Sequence, residues 1–237
     1  MNGHACDIEM TKRFRANEIG TNGDQTTLSK EVSHHLLRVC LTPRGTRVRI
    51  FDGAGAEALG TLSDVKDGLA VITIDEVLEK TQPGHELILI QGMPRKPALE
   101  RIVRMATELG VTEIRCFVAS RTVANKPHTE RWQSIATSSA AQCGRDDLPT
   151  IKNYSDIGEA MTGLPTGDKW LLSPNDSDST LKSAPVALLI GPEGGLTPEE
   201  VAIAIEAGFA PKNIAPNTLR SDTAAVAALT LAINFQL

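Results

Sequence analysis

Pro185-Val186-Ala187-Leu188-Leu189-Ile190-Gly191-Pro192-Glu193-Gly194-Gly195-Leu196 decides the fold class. Its apolar run is too short for a buried helix and is closed by Gly and Pro, which predicts a buried parallel strand. Thr197-Pro198-Glu199-Glu200 follows, with an N-cap Thr, Pro at the first helical position and Glu three residues after the cap, so a helix starts here. A strand, a glycine loop and a helix start let backbone come close to a bound molecule. About twenty-five residues later, Ile214 to Ala228 reads as a second strand-like piece and loop opening an Ala-rich helix.

Outward from this pair the rhythm is that of an α/β protein with a mostly parallel sheet. Strands are expected at Glu86 to Gln91, Glu113 to Val118, around Ile151, at Lys169 to Leu172 and at Val186 to Ile190. Helices are expected from Pro97 to Leu109, ended by Gly110, and over Thr129 to Cys143, stopped by Gly144. Thr81-Gln82-Pro83-Gly84 reads as a linker. Before it, Ser29 is expected to cap a helix reaching about Cys40, with Val32, Leu36, Val39 and Cys40 on one face. Three β segments follow, Thr46 to Phe51, Ala58 to Ser63 and Leu69 to Val77, separated by Asp-Gly turns as in a meander or small barrel.

Composition narrows the function classes. The 237 residues, 41% apolar and only 3% aromatic, are enough for one large or two modest aliphatic cores. No apolar run approaches the roughly 20 residues of a membrane span, and no secretion signal is read, so a cytoplasmic protein is expected. Cys6, Cys40, Cys116 and Cys143 lack metal-binding spacing and read as reduced, buried thiols. His34 and His35 point about 100° apart on a helix and do not suit one shared ion, so no metal is expected. Net charge is −5, against a generic nucleic-acid binder, but Lys12, Arg13 and Arg15 cluster, as do Arg44, Arg47 and Arg49. Short basic patches on an acidic protein suit a structured RNA docked at few places, or ordinary solvated surface.

The common phosphate loops are absent: no Lys-Ser/Thr follows the glycines and there is no G-x-G-x-x-G. Gly191-Pro192-Glu193-Gly194-Gly195 with Leu219-Arg220-Ser221-Asp222-Thr223-Ala224 instead resembles the knotted SPOUT methyltransferases of the RsmE type, which methylate N3 of a uridine in small-subunit ribosomal RNA. Met93-Pro94-Arg95, Thr107-Glu108-Leu109-Gly110-Val111 and Ala141-Gln142-Cys143-Gly144-Arg145 resemble further family segments in the same order. The resemblance implies a PUA-like RNA-binding domain over 1–80 and a SPOUT domain over 85–237 with a C-terminal trefoil knot. It also implies a homodimer, ribosomal RNA as partner, no membrane, and S-adenosylmethionine as cofactor.

The cofactor would be held by Leu189, Ile190, Gly191, Pro192, Glu193, Gly194 and Gly195, and by Ile214, Pro216, Asn217, Leu219 and Thr223. Arg220 and Asp222 are the expected catalytic residues, Arg220 for phosphate or uracil and Asp222 as base or orienting carboxylate; Asp222 with Ser221 could equally cap the last helix. RNA contacts are expected from Arg13, Arg15, Arg44, Arg47, Arg49, Arg95 and Arg145, although Arg145 could instead neutralise Asp146 or Asp147. The chain departs from the family pattern L-G-x-R-I-L-R-x-E-T-A at Ala215, Asn217 and Asp222, and any left-handed backbone at Ala215 would be strained. Ribose 2′-O-methylation, or RNA binding without turnover, are the alternatives these departures leave open.

Overall fold

The computed structural model describes residues 12–79, 86–122, 128–173 and 183–235. The expected linker and Cys6 lie outside them. The chain forms two compact units: Met1–Pro83 with Ala140–Leu148, and Gly84–Ser139 with Pro149–Leu237.

In the first unit, β1 (Arg13–Arg15), β2 (Gln25–Thr27), β3 (Arg47–Phe51), β4 (Glu57–Lys66) and β5 (Leu69–Val77) form one sheet in the order β1-β3-β4-β5-β2. The β3-β4-β5 meander is antiparallel as its turn residues predict. The two edge strands are only three residues each, too short to alternate legibly, and β1 runs parallel to β3. Phe14, Leu28, Leu36, Val48, Ile50, Leu62 and Ile72 fill the core.

The helix expected from Ser29 to Cys40 is corrected in its second half. Ser29 caps α1 (Lys30–His34) by accepting from the Val32 N–H, but His35–Val39 is a π-helical turn closed by Cys40 N–H to His35 O at 2.8 Å. The wider turn rotates later side chains off the helical face. Leu36 stays buried while Val39 turns out to solvent. The cysteines are also not uniformly buried: Cys116 is, and burial pushes its thiol up to about 12, but Cys143 is exposed and Cys40 half-buried.

The second unit is a six-stranded, all-parallel sheet. Its elements in chain order are β6 (Ile88–Gly92), α2 (Lys96–Glu108), β7 (Glu113–Phe117), α3 (Thr129–Cys143), β8 (Thr150–Tyr154), α4 (Ile157–Ala160), β9 (Asp168–Leu172), β10 (Pro185–Ile190), α5 (Pro198–Glu206), β11 (Ala210–Lys212) and α6 (Ser221–Asn234). Strand order is β11-β9-β10-β6-β7-β8. α3 starts in this unit and its last turn clusters with the first. β10 lies between β9 and β6, and its alternate residues serve both layers. Leu188 and Ile190 face the core with α2 and α6, and Ala187 and Leu189 face the one with α4 and α5. The continuous apolar run of 186–190 follows from this double burial. On α6, Ala224, Ala225, Ala228 and Ala232 form the buried face, and their small side chains let the helix sit close to the sheet and α2.

Candidate active site

A cavity of about 530 Å³ opens at the carboxyl ends of β9, β10 and β11. Its walls are Leu171, Leu172 and Ser173, the loop from Ile190 to Leu196, and the loop from Lys212 to Ser221. Open parallel sheets place ligand crevices at such strand ends, where connections diverge to either side.

The first loop is shaped by local chemistry. Gly195 has φ +70°, a left-handed conformation that a side chain would strain, and its N–H closes a turn on Pro192 O at 2.9 Å. Thr197 and Glu200 then form the reciprocal capping box that starts α5. Gly92, at the end of β6, is a necessity the sequence does not advertise. A Cβ there would lie 2.6 Å from Pro192 Cδ and 2.8 Å from Pro192 N, so the loop's approach depends on its absence.

Two polar side chains outside the two loops hold them. Gln91 is fully buried, and its Nε2 donates to Gly92 O and Ser221 Oγ at 2.9 Å, with longer contacts to Ile190 O and Gly191 O. Ser221 Oγ in turn donates to Gly191 O at 3.1 Å, so the start of α6 is stitched to the first loop. Arg121 Nη1 donates to Gly194 O and Leu196 O, while the neighbouring Ser120 gives its N–H and hydroxyl to Glu200 Oε1. Glu193 accepts the backbone N–H of Arg95 at 3.0 Å, so this carboxylate orders the Met93-Pro94-Arg95 segment. Sequence reasoning missed Gln91 and Arg121. A polar residue inside an otherwise apolar strand was the only signal for Gln91.

Of the expected cofactor residues, Ile190, Gly191, Pro192, Glu193, Gly195, Ile214, Asn217 and Leu219 line the cavity. Four do not. Leu189 points into the opposite core, Gly194 backs onto Arg121, and Pro216 and Thr223 face solvent. Ala215 does not have a positive φ, so replacing the family's glycine brings no left-handed strain. Its N–H is received by Asn213 Oδ1 at 3.2 Å.

Arg220 and Asp222 are separated by role as well as by Ser221. Arg220 is the N-cap residue of α6, lies exposed on the cavity wall, and its guanidinium has no partner among the described residues. Asp222 is outside the lining and takes Arg101 at both Nε (2.9 Å) and Nη2 (2.8 Å), with the Thr223 N–H on its other oxygen. Partial burial raises its pKa, but the Arg101 hydrogen bonds and charge and the backbone N–H outweigh this, and the net shift is downward. The N-cap position itself belongs to Arg220, whose side chain makes no cap bond, but Asp222 Oδ1 satisfies the Thr223 N–H in the first turn of α6.

The expected RNA-contacting arginines divide in the same way. Arg15, Arg44, Arg47 and Arg95 are exposed, although Arg44 reaches Ser63 O and Asp64, and Arg47 approaches Asp75 at 4.0 Å. Arg13 is not part of a surface patch: its side chain is 8% exposed, pairs with Glu57 at 2.7 Å and lies over the Phe51 ring. Arg49 shares Glu57, whose carboxyl is pushed up by burial even so. Arg145 forms a two-pronged pair with Asp147 at 2.6 and 2.8 Å, the neutralising alternative, and holds Asp147's carboxyl low. Arg13 and Arg15, like Arg47 and Arg49, lie two apart on a strand and so share a face; it is the Glu57 carboxylate that draws Arg13 and Arg49 in and leaves Arg15 and Arg47 exposed.

An RNA methyltransferase domain family model matches residues 80–233. The Ribosomal RNA small subunit methyltransferase E of Synechocystis sp. is 30% identical over 215 residues, covering 86% of this chain and 71% of that protein. A solved Legionella pneumophila protein with bound SAM superimposes with a TM-score of 0.86 at 26% identity, covering 94% and 97% of the two chains. The Ribosomal RNA small subunit methyltransferase E of Neisseria gonorrhoeae, solved bound to S-adenosyl methionine, gives 0.84 at 26% identity with the same coverage.

Proposed function

The chain belongs to the RNA methyltransferase domain family, and from that premise we propose that it methylates N3 of a uridine in small-subunit ribosomal RNA with S-adenosylmethionine. The cavity built by the two loops is the observation that carries this reading. Its volume is that of a small-molecule site, and its Leu171, Leu172, Ile190, Ile214 and Leu219 walls suit the apolar faces of a nucleoside. The N–H groups of Ile214 and Leu219 have no acceptor among the described residues and are available to polar atoms of a ligand. These walls and the backbone of 190–195 and 214–219 would hold the cofactor, which supplies an electrophilic methyl group on a sulfonium.

The chain's own residues must then present the acceptor. Uracil N3 carries a proton that has to leave, and the developing negative charge needs a fixed cation nearby. Arg220, on the cavity wall with no partner among the described residues, fits that task or the holding of an RNA phosphate. Asp222 fits orientation better than proton abstraction, because a carboxylate tied to Arg101 with a lowered pKa is a weak base. Its pairing with Arg101 is intact at neutral pH and is lost only as pH falls through the lowered value.

Asp222→Asn is therefore expected to keep turnover within about tenfold and to leave the shape of the pH–rate profile unchanged near neutrality. A fall on the order of a hundredfold, with loss of a pH limb, would return the base role to Asp222. The remaining elements of the reading are a PUA-like RNA-binding domain over 1–80, a SPOUT domain over 85–237 whose end is threaded as a trefoil knot, and a cytoplasmic homodimer. They rest on the family match, on β10 inserting beside β6, and on the Ala-rich α6 that close threading would require. Titration with S-adenosylmethionine should raise the melting temperature of a dimer by mass action. A monomer with no thermal shift would count against both cofactor and assembly.

A further inference from the structure

The π turn of the N-terminal unit ends in a feature that cofactor binding and chemistry do not use. Val39 is 62% exposed and Leu41 73% exposed, the two most exposed large apolar side chains among the described residues. Leu41 also has φ +49°, a left-handed conformation in which Gly or Asn is at ease and a bulky side chain is not. Folding alone gives no reason to put leucine there.

The turn is nevertheless firmly built. Cys40 N–H closes on His35 O at 2.8 Å and Thr42 N–H on Leu36 O at 3.1 Å, Leu36 is fully buried, and His35 meets Phe14 edge-on. Cations sit on the turn and flank it in sequence. Lys12 Nζ donates to Cys40 O, Arg38 is exposed and its guanidinium has no partner among the described residues, and Arg44 is 65% exposed although it pairs with Asp64. From 32 to 51 the sequence contains no acidic residue. An exposed apolar tip flanked in sequence by cations suits a polyanion whose bases are accessible, since apolar wedges enter between bases while cations hold the flanking phosphates. Paired RNA does not open its bases to such a tip, whereas single-stranded loops do.

On the RNA-methylation reading above, we infer that Arg38–Arg44 is a wedge for unpaired bases of the substrate RNA, with Leu41 the inserted side chain and Lys12, Arg38 and Arg44 on the phosphates. The wedge makes unpaired RNA, rather than duplex, the partner of this surface. It also shifts the expected contact from buried Arg13 and half-buried Arg49 to the turn that precedes β3.

The test measures affinity for a small-subunit ribosomal RNA transcript and for a fully paired RNA duplex, with Leu41→Asn, Leu41→Gly and Arg38→Ala. Both Leu41 variants should bind the transcript about tenfold more weakly, from lost apolar burial. They should bind the duplex as before, keep the salt dependence, and melt no lower than the parent protein because the left-handed site is relieved. Arg38→Ala should instead reduce the salt slope by about one. Unchanged transcript affinity in the Leu41 variants, with wild-type methylation intact, would overturn the wedge alone. A melting temperature lowered by several degrees, or a change of oligomeric state, would show that protein covers Leu41 and would also overturn it. Failure of the wild type to bind either RNA would overturn the RNA reading itself.

Discussion

Arg220→Ala lowers single-turnover methylation of small-subunit ribosomal RNA by about a hundred- to a thousandfold, the usual cost of removing one donor aimed at developing charge, and leaves S-adenosylmethionine affinity within about threefold. Two observations make this expectation specific. The guanidinium lies exposed at the cavity wall without a partner among the described residues, so its loss frees no buried charge there and opens no core. Its backbone carbonyl accepts the Ala224 N–H at 2.7 Å, so α6 keeps its first turn whatever the side chain. Arg220→Lys tests the role further. A point charge at this position should restore part of the rate if electrostatics alone matter, and little if the planar fork grips two acceptors. An Arg220→Ala protein with normal single-turnover rates would remove this residue from the chemistry.

Gly92→Ala should cost about ten- to a hundredfold in cofactor affinity while the apo protein still folds. The added methyl meets Pro192 backbone and ring atoms at 2.8 and 2.6 Å, and neither can rotate away. The loop from Gly191 to Leu196 has to retreat, and inserting one methyl into such a close contact costs about 1–3 kcal/mol. That displacement propagates, because Gln91 and Ser221 tie the same loop to the start of α6. Isothermal titration with S-adenosylmethionine, alongside melting temperature without it, separates a displaced loop from a lost fold. Unaltered affinity would mean that the cofactor does not rely on the loop's approach to β6.

Much of this architecture was legible where local chemistry is self-sufficient. Thr197 and Glu200 announce their capping box in four residues, α3 runs over the residues its apolar positions and Gly144 set, and the 186–190 run reads as the doubly buried strand it is. The two loops that wall the cavity were legible, because glycine loops after strands are marked by composition. What the sequence could not carry are contacts made across long separations. Gln91 reaches Ser221, 130 residues away, and Arg121 reaches Gly194, 73 away. The π turn depends on which carbonyl Cys40 finds, and Arg13 is internal because Glu57 faces it from β4. Ala215 is the opposite case. The loop path avoids positive φ there, so the departure from glycine is conformationally silent.

The most direct test is to identify the product. Purified protein is incubated with isotopically methyl-labelled S-adenosylmethionine and with small ribosomal subunits, or their extracted RNA, from cells lacking this gene, and the RNA is digested to nucleosides for mass spectrometry. The account predicts one labelled nucleoside, uridine methylated on N3, formed by the wild type and strongly reduced in Arg220→Ala. Label on a ribose 2′-oxygen, or no incorporation into either substrate by a protein that binds the cofactor, would contradict it.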